Sequence, residues 1–312
     1  MDRKIHTMGY IIMTRHSNWI TKISLFLFVC LTLGFTGCTS GPKVVIGCKN
    51  FTEQYILSEI MALLLEEETD LLIERTWSLG GTMICHQALT NGEIDLYPEY
   101  TGTAYISILK HDDIQSATKT LQIVNQEYAE QFNCAWLKPL GFNNTYAITV
   151  REAMAKDKQW QTISDLVQES QNLTAGFTVE FHERPDGYPG LQETYNLAFQ
   201  QIIDLDPGLM YKAVNNKQVD VICAFSTDGR IPAYNLHILK DDKQFFPPYY
   251  AAPVVRKDTL KQFPEIKTTL NKLAGILDNK TMQKMNYEAD EMGRPTRAIA
   301  KEFLQKKNLL PK

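Results

Sequence analysis

The chain has 312 residues, 36 of them acidic and 32 basic; a formal charge of −4 with no basic block argues against nucleic acid as a partner. Hydrophobic residues make up 44% of it, enough to fill the cores of two ordinary lobes or one large domain. No period of about 20 to 50 residues recurs, which excludes a solenoid.

The first 40 residues differ from the rest. Lys4, Arg15 and Lys22 precede an apolar run at 23–35 (ISLFLFVCLTLGF), followed by Thr36, Gly37 and Cys38. A basic start, a short apolar run and small residues before a cut site make a secretory signal too short to span a bilayer comfortably. FTGC at this point resembles the lipobox of bacterial lipoproteins, with Phe35 where that pattern most often has Leu. The resemblance implies a signal peptide over 1–37, a diacylglycerol on the Cys38 sulfur and a tether over 38–42; an uncleaved anchor is the alternative. Met8 and Met13 are alternative starts, because the residues before them add nothing the signal needs. Either way, the remaining chain is expected outside the cytoplasm, tethered to a membrane surface.

Residues 43–48 (KVVIGC) predict a strand. A helix follows at 51–68, with Thr52 as its N-cap and Ile56, Leu57, Ile60, Met61, Leu64 and Leu65 on one apolar face. A second strand is expected at 71–79, a helix from Gly80-Gly81-Thr82 to Asn91-Gly92, and a third strand at 94–97. Strand, helix, strand, helix, strand at this spacing predicts a parallel or mixed sheet flanked by helices. After Pro139-Leu140-Gly141 a second such unit begins. It has strands at 146–150, 175–181, 219–224 and, at an edge, 237–239, with helices at 163–167, 189–201 and 210–214. Beyond Pro253-Val254-Val255 the chain reads as helical, at 259–277 and 281–304, broken by Gly293 and Pro295. Two α/β units with a helical C-terminus describe a hinged two-lobe protein, with its ligand in the crevice at the strand ends.

Chemistry-bearing residues point the same way. Tyr97, Tyr100, Tyr146, Tyr188, Tyr249 and Tyr250 fall beside Pro, Gly, Asn or Asp, where loops and element ends are made. Rings converging from loops offer π faces to a quaternary ammonium. The same rings can also simply plug lobe edges. Cys48, Cys85, Cys134 and Cys223 show no metal-binding spacing; three pairings are open to them, and a two-lobed domain needs none. His86 and His182 lack catalytic partners at useful spacing, and GxSxG, HExxH and P-loop motifs are absent. A choline-ester hydrolase would have to use Ser226 and Asp228 without a histidine.

Six motifs then occur in order: KNFTEQ (49–54), GEIDLYPEYTGT (92–103), GFNNTY (141–146), ERPDGYPGL (183–191), STDGRI (226–231) and FFPPYYAAPVVR (245–256). Together they resemble the substrate-binding lipoproteins of osmoprotectant ABC importers, which take up glycine betaine, choline or carnitine. The resemblance, over 43–311, implies a type II periplasmic-binding fold: two α/β lobes, 43–142 plus 249–312 and 143–248, joined by a hinge. It implies ligand contacts from Lys49 and Gln54 at the first helix, Tyr100 and Thr103 on lobe one, and Asn144 and Tyr146 on lobe two. It further implies a ring near the hinge from Tyr250, with Tyr249 as the other candidate, and Glu180 and Arg184 flanking the loop that holds a ligand carboxylate. Phe225 stands where betaine-binding relatives can carry Tyr, keeping the π face and losing the hydroxyl. Thr103 and Gln54 sit where helices begin and can instead be caps. No cofactor or metal is implied, and the chain is expected as a monomer whose permease and ATPase are separate chains. Ergothioneine is the alternative betaine, because GFNNTY and LGGT also occur in relatives associated with it.

Overall fold

The computed structural model describes residues 41–312; the leader and Cys38 lie outside the described residues. In chain order, β1 (Lys43–Gly47), α1 (Thr52–Glu68), β2 (Leu72–Thr76), α2 (Thr82–Asn91) and β3 (Leu96–Tyr100) form the first unit. Helical turns at Thr101–Thr103 and Ala104–Ile108 lead to α3 (Ala117–Gln131) and β4 (Cys134–Trp136). The second unit runs β5 (Tyr146–Arg151), α4 (Glu152–Lys158), β6 (Thr174–Phe177), α5 (Val179–Glu183), α6 (Tyr188–Tyr195) and β7 (Gln201–Asp204). It continues with α7 (Pro207–Asn215), β8 (Val221–Phe225), α8 (Arg230–Ala233) and β9 (Leu236–Ile238). The chain then adds β10 (Ala251–Arg256) and the helices α9 (Lys257–Gln262), α10 (Glu265–Leu270), α11 (Asn279–Asp290) and α12 (Thr296–Lys306).

Two five-stranded sheets result, ordered β2-β1-β3-β10-β4 and β7-β6-β8-β5-β9. Each has three parallel strands, then an antiparallel strand, then an edge strand antiparallel to that one. β10 and β5 thus hold equivalent places. Helix α1 is the centre of the first lobe: its six apolar-face residues are at most 1% exposed, and α10, α11 and α12 pack against it. The C-terminal helices therefore belong with the first sheet. Between the sheets the two crossing segments meet as an antiparallel bridge, Asn143 to Tyr250, with the Asn144 N–H donating to Tyr249 O (3.1 Å). Gly141 enters this crossing at φ +118, and a Cβ there would lie 2.4 Å from Leu277 O, so no side chain fits.

Several boundaries move for identifiable reasons. Extended Phe51 (φ −144) precedes α1 and makes no side-chain cap, while the Thr52 hydroxyl donates to Asp290 instead of capping. The strand expected over 175–181 stops at Phe177, because the Thr178 hydroxyl accepts from the Phe181 N–H (3.1 Å) and starts α5. The helix expected over 189–201 ends at Tyr195, where Asn196 turns left-handed (φ 59), and β7 takes its last residue. Residues Ile163–Leu166 make a single 3₁₀ turn closed by a Thr162–Asp165 capping box. All four described cysteines are free and buried.

Candidate functional site

A cavity of about 570 Å³ lies between the lobes, with walls from both. Strand ends and helix N-termini build it. Phe51 precedes α1, Thr82 and Met83 open α2, Tyr100 ends β3, Tyr146 begins β5, Phe225 ends β8, and Glu180 and Arg184 come from α5 and the residue after it. Extended chains end there with side chains aimed outward from the sheet, as expected for a crevice at strand termini.

Five rings line this cavity: Phe51, Tyr100, Tyr146, Phe225 and Tyr249. Phe51 of lobe one stacks on Phe225 of lobe two with centroids 5.4 Å apart and planes 2° from parallel, and it lies 6.4 Å from Tyr100. Tyr146 and Phe225 face each other directly across the β5–β8 ladder, which puts their rings 5.7 Å apart on one face. Tyr249 closes the series edge-on to Tyr146 at 5.5 Å. A continuous aromatic wall therefore runs from one lobe to the other.

Charged side chains frame the wall, largely engaged with one another. Lys49 Nζ donates to Glu99 (2.6 Å) and to the Thr82 hydroxyl (2.8 Å), 5.3 Å from the Tyr100 ring centre. Arg184 is buried; its Nε donates to Asp186 (2.8 Å), its Nη2 pairs with the other Asp186 oxygen, and its Nη1 reaches Glu180 Oε1 at 3.3 Å. Glu180 Oε1 also accepts the Thr82 N–H at the start of α2 (3.2 Å), a contact from lobe two to lobe one. Burial pushes the Glu180 carboxyl up, but the Arg184 and Lys49 charges and the hydrogen bonds from Thr82 outweigh it and hold it below its ordinary value.

Beneath the rings is Glu53, 2% exposed. Its Oε1 accepts from the Tyr100 hydroxyl (2.7 Å) and Asn144 Nδ2 (2.8 Å), its Oε2 from the Thr227 hydroxyl (2.5 Å) and Asn286 Nδ2 (3.1 Å). Burial raises its pKa, against the pull of these four donors. One carboxylate thus ties α1, β3, the crossing segment, the turn after β8 and α11.

Of the residues expected at the site, Lys49, Tyr100, Thr103, Asn144, Tyr146, Glu180, Arg184, Phe225 and Tyr249 lie on the cavity wall. Two lie elsewhere. Gln54 is fully buried, accepting from the Lys49 N–H (3.2 Å) and donating to Pro98 O (2.9 Å), so its amide braces the first loop. Tyr250 is a neighbour of Tyr249 in extended chain, so their side chains leave opposite faces; it is Tyr249 that lines the cavity and donates its hydroxyl to Asp186 (2.7 Å). Arg184, which the resemblance places beside the loop that holds a ligand carboxylate, has its fork occupied by Asp186. Thr103 Oγ1 meets Arg184 Nη2 at 3.4 Å. Tyr97 and Tyr188 are internal, bonded to Glu99 (3.0 Å) and Leu197 O (3.4 Å). Phe51 and Glu53 had no place among the expected site residues; an aromatic just before a helix whose first turn carries an acid was the available signal.

Ser226 does not make a nucleophile. Its hydroxyl accepts from the Thr145 N–H (3.1 Å) and contacts Asn143 O (3.3 Å), while Asp228 is engaged with Arg230 Nε (2.9 Å). No group of His, Cys, Asp and Glu suited to a metal occurs among the described residues.

Comparison with known proteins agrees with this architecture. The chain is 42% identical over 287 residues to the carnitine transport binding protein OpuCC of Listeria monocytogenes (91% of this chain, 93% of the relative). It is 36% identical over 294 residues to the ergothioneine transport permease/ergothioneine binding protein EgtU of Helicobacter pylori (strain G27), covering 93% of this chain and 53% of that longer protein. A crystal structure described as a glycine betaine/carnitine/choline ABC transporter superposes with a TM-score of 0.71 at 38% identity, over 85% of this chain and 99% of that one. Residues 42–306 match the OpuAC model, and the chain therefore belongs to the family described as the substrate-binding domain of ABC-type glycine betaine transport systems.

Proposed function

We propose that this substrate-binding component of an ABC importer captures glycine betaine, carnitine or choline by its trimethylammonium group and hands it to a permease encoded as a separate chain. The observation that carries this is the five-ring wall spanning both lobes. A trimethylammonium has no donors and is held by π faces at about 0.5–2 kcal/mol per ring. Several rings together reach the scale of micromolar binding, about 8 kcal/mol, before the costs of ordering are subtracted. Titration calorimetry with the three ligands tests it; no heat and no thermal shift with any of them at millimolar concentration overturns it.

A second reading, ergothioneine, is favoured by the size of the cavity. The cavity of about 570 Å³ between the lobes has room for a trimethylammonium group joined to a thione-imidazole ring, and a relative 36% identical to this chain is named for binding that ligand. Competition between ergothioneine and carnitine on one sample separates the two.

The lobes, 43–142 plus 249–312 and 143–248, move about the crossing segments in this reading. The chain acts as a monomer, with residues 1–37 removed and Cys38 lipidated as its membrane anchor. The mass of the mature N-terminal peptide tests the anchor: an unmodified Cys38 refutes it.

A further inference from the structure

The wall's cationic donors are already engaged, whereas acceptors remain open. Lys49 and Arg184 face Glu99, Asp186 and Glu180, and the Tyr100 and Tyr249 hydroxyls donate to Glu53 and Asp186. Thr82 N–H and Arg184 Nη1 both go to Glu180 Oε1, so neither of these two bonds occupies Oε2. It lies over Gly81, 3.1 Å from where a Cβ would be, so the absence of a side chain at Gly81 makes room for it. Independently, Asn144 Oδ1, on a wall residue only 6% exposed, has no partner. Its amide cannot be turned to supply one, because Nδ2 is held by the Glu53 carboxylate. Lining residues Glu180, Glu183, Asp204 and Asp206 outnumber Lys49 and Arg184, so the wall carries an excess of negative charge.

Resting on the function proposed above, we infer that Glu180 is the specificity-determining acceptor of this cleft. It takes a hydrogen bond from an O–H or N–H on the distal arm of the quaternary-ammonium ligand, and so favours donor-bearing ligands over glycine betaine, which has no donor. The Glu180 carboxylate sits on α5, where the Thr178 cap aims it at the cavity, and the Thr82 and Arg184 bonds fix which oxygen faces the ligand. A hydroxylated arm, as in carnitine or choline, or a ring N–H, as in ergothioneine, supplies a donor for Oε2. Asn144 Oδ1 is a second acceptor of the same sign.

Carnitine and γ-butyrobetaine, which differ by a single hydroxyl, test this by calorimetry on the purified chain. A hydrogen bond to a charged acceptor contributes about 1.5 kcal/mol or more, roughly tenfold in affinity, so carnitine is expected to bind at least about tenfold tighter. In Glu180→Gln, Thr82 N–H and Arg184 hold the amide oxygen, and the NH₂ takes the place of Oε2 as a donor. The carnitine hydroxyl can rotate to accept from that NH₂, so a neutral hydrogen bond replaces the charge-assisted one and the ratio should fall several-fold, to about threefold or less. Equal binding of the two ligands by the unaltered chain overturns the inference without needing any variant to fold, as does an unchanged ratio in Glu180→Gln. Failure of every quaternary ammonium to bind instead removes the proposed function itself.

Discussion

Replacing Glu53 by Gln keeps its shape and removes its charge, and the consequence follows from the four donors around it. The Gln oxygen retains one pair of them. On the other side the new NH₂ faces one hydroxyl, which can rotate to accept, and one Asn NH₂, which cannot. One charge-assisted hydrogen bond is lost, at about 1.5–3 kcal/mol, and the others become neutral, so destabilisation of about 2–4 kcal/mol is expected. Thr227 lies on lobe two and Asn144 on the crossing segment, so about half of this loss, 1–2 kcal/mol, belongs to contacts between the lobes and weakens ligand affinity roughly tenfold. Urea unfolding and titration calorimetry on the same sample separate the two quantities. Lower stability with affinity unchanged within about twofold would refute the role of Glu53 in holding the lobes together. A stability change below about 0.5 kcal/mol would refute the hydrogen-bond accounting altogether.

Other outcomes are specified as clearly. Tyr146→Ala, which deletes the ring between Phe225 and Tyr249, should weaken binding at least about tenfold, or 1.4 kcal/mol; unchanged affinity in a folded variant would make Tyr146 a packing residue only. Tyr249→Phe should lower affinity by releasing Asp186, and with it Arg184, whereas Tyr250→Phe should bind as the parent does; calorimetry showing the reverse order would restore Tyr250 to the cage. Glu180 has a depressed pKa, so its contribution is present above the unfolded carboxyl value of about 4.3 and is lost as pH falls through the lower folded value. An acid titration followed by fluorescence should lose that component in Glu180→Gln; identical acid profiles would show that Glu180 does not stabilise the apposed lobes. Burial pushes the Cys48 and Cys85 thiols up to about 12 and Cys134 to about 11. None of these three should react with a thiol reagent before denaturation, and labelling of the native chain would contradict their burial.

How much of this was legible in the sequence depends on the kind of signal. Alternating strands and helices, the buried face of α1 and the break at Gly293 and Pro295 follow from periodicity and backbone chemistry, and all appear as expected. The strand expected through Phe181 was misleading because Val179 and Phe181 favour strands; one hydroxyl, on Thr178, outweighs them and delivers Glu180 to the cavity. A count of tyrosines finds Tyr100, Tyr146 and Tyr249 but misses Phe51, whose role comes from standing opposite Phe225 across the lobes. Gln54 looks like a ligand contact in a motif, yet both ends of its amide are used by the backbone. The Glu53 node escapes sequence reading altogether, since its donors come from positions 100, 144, 227 and 286 and meet only in the folded chain.

The equivalent places of β5 and β10 in the two sheets have a consequence for the order of assembly. Every strand of the second sheet lies between Tyr146 and Ile238, so that lobe can be completed from one continuous stretch of chain. The first sheet cannot. Its β3 and β4 are not joined into one sheet until β10, made only after the whole second lobe, slots between them, and α1 is not fully covered until α12 arrives. The loop that must close spans the entire second lobe, so the lobe that begins first is completed last. Changes that slow folding should therefore concentrate along β10 and its neighbours.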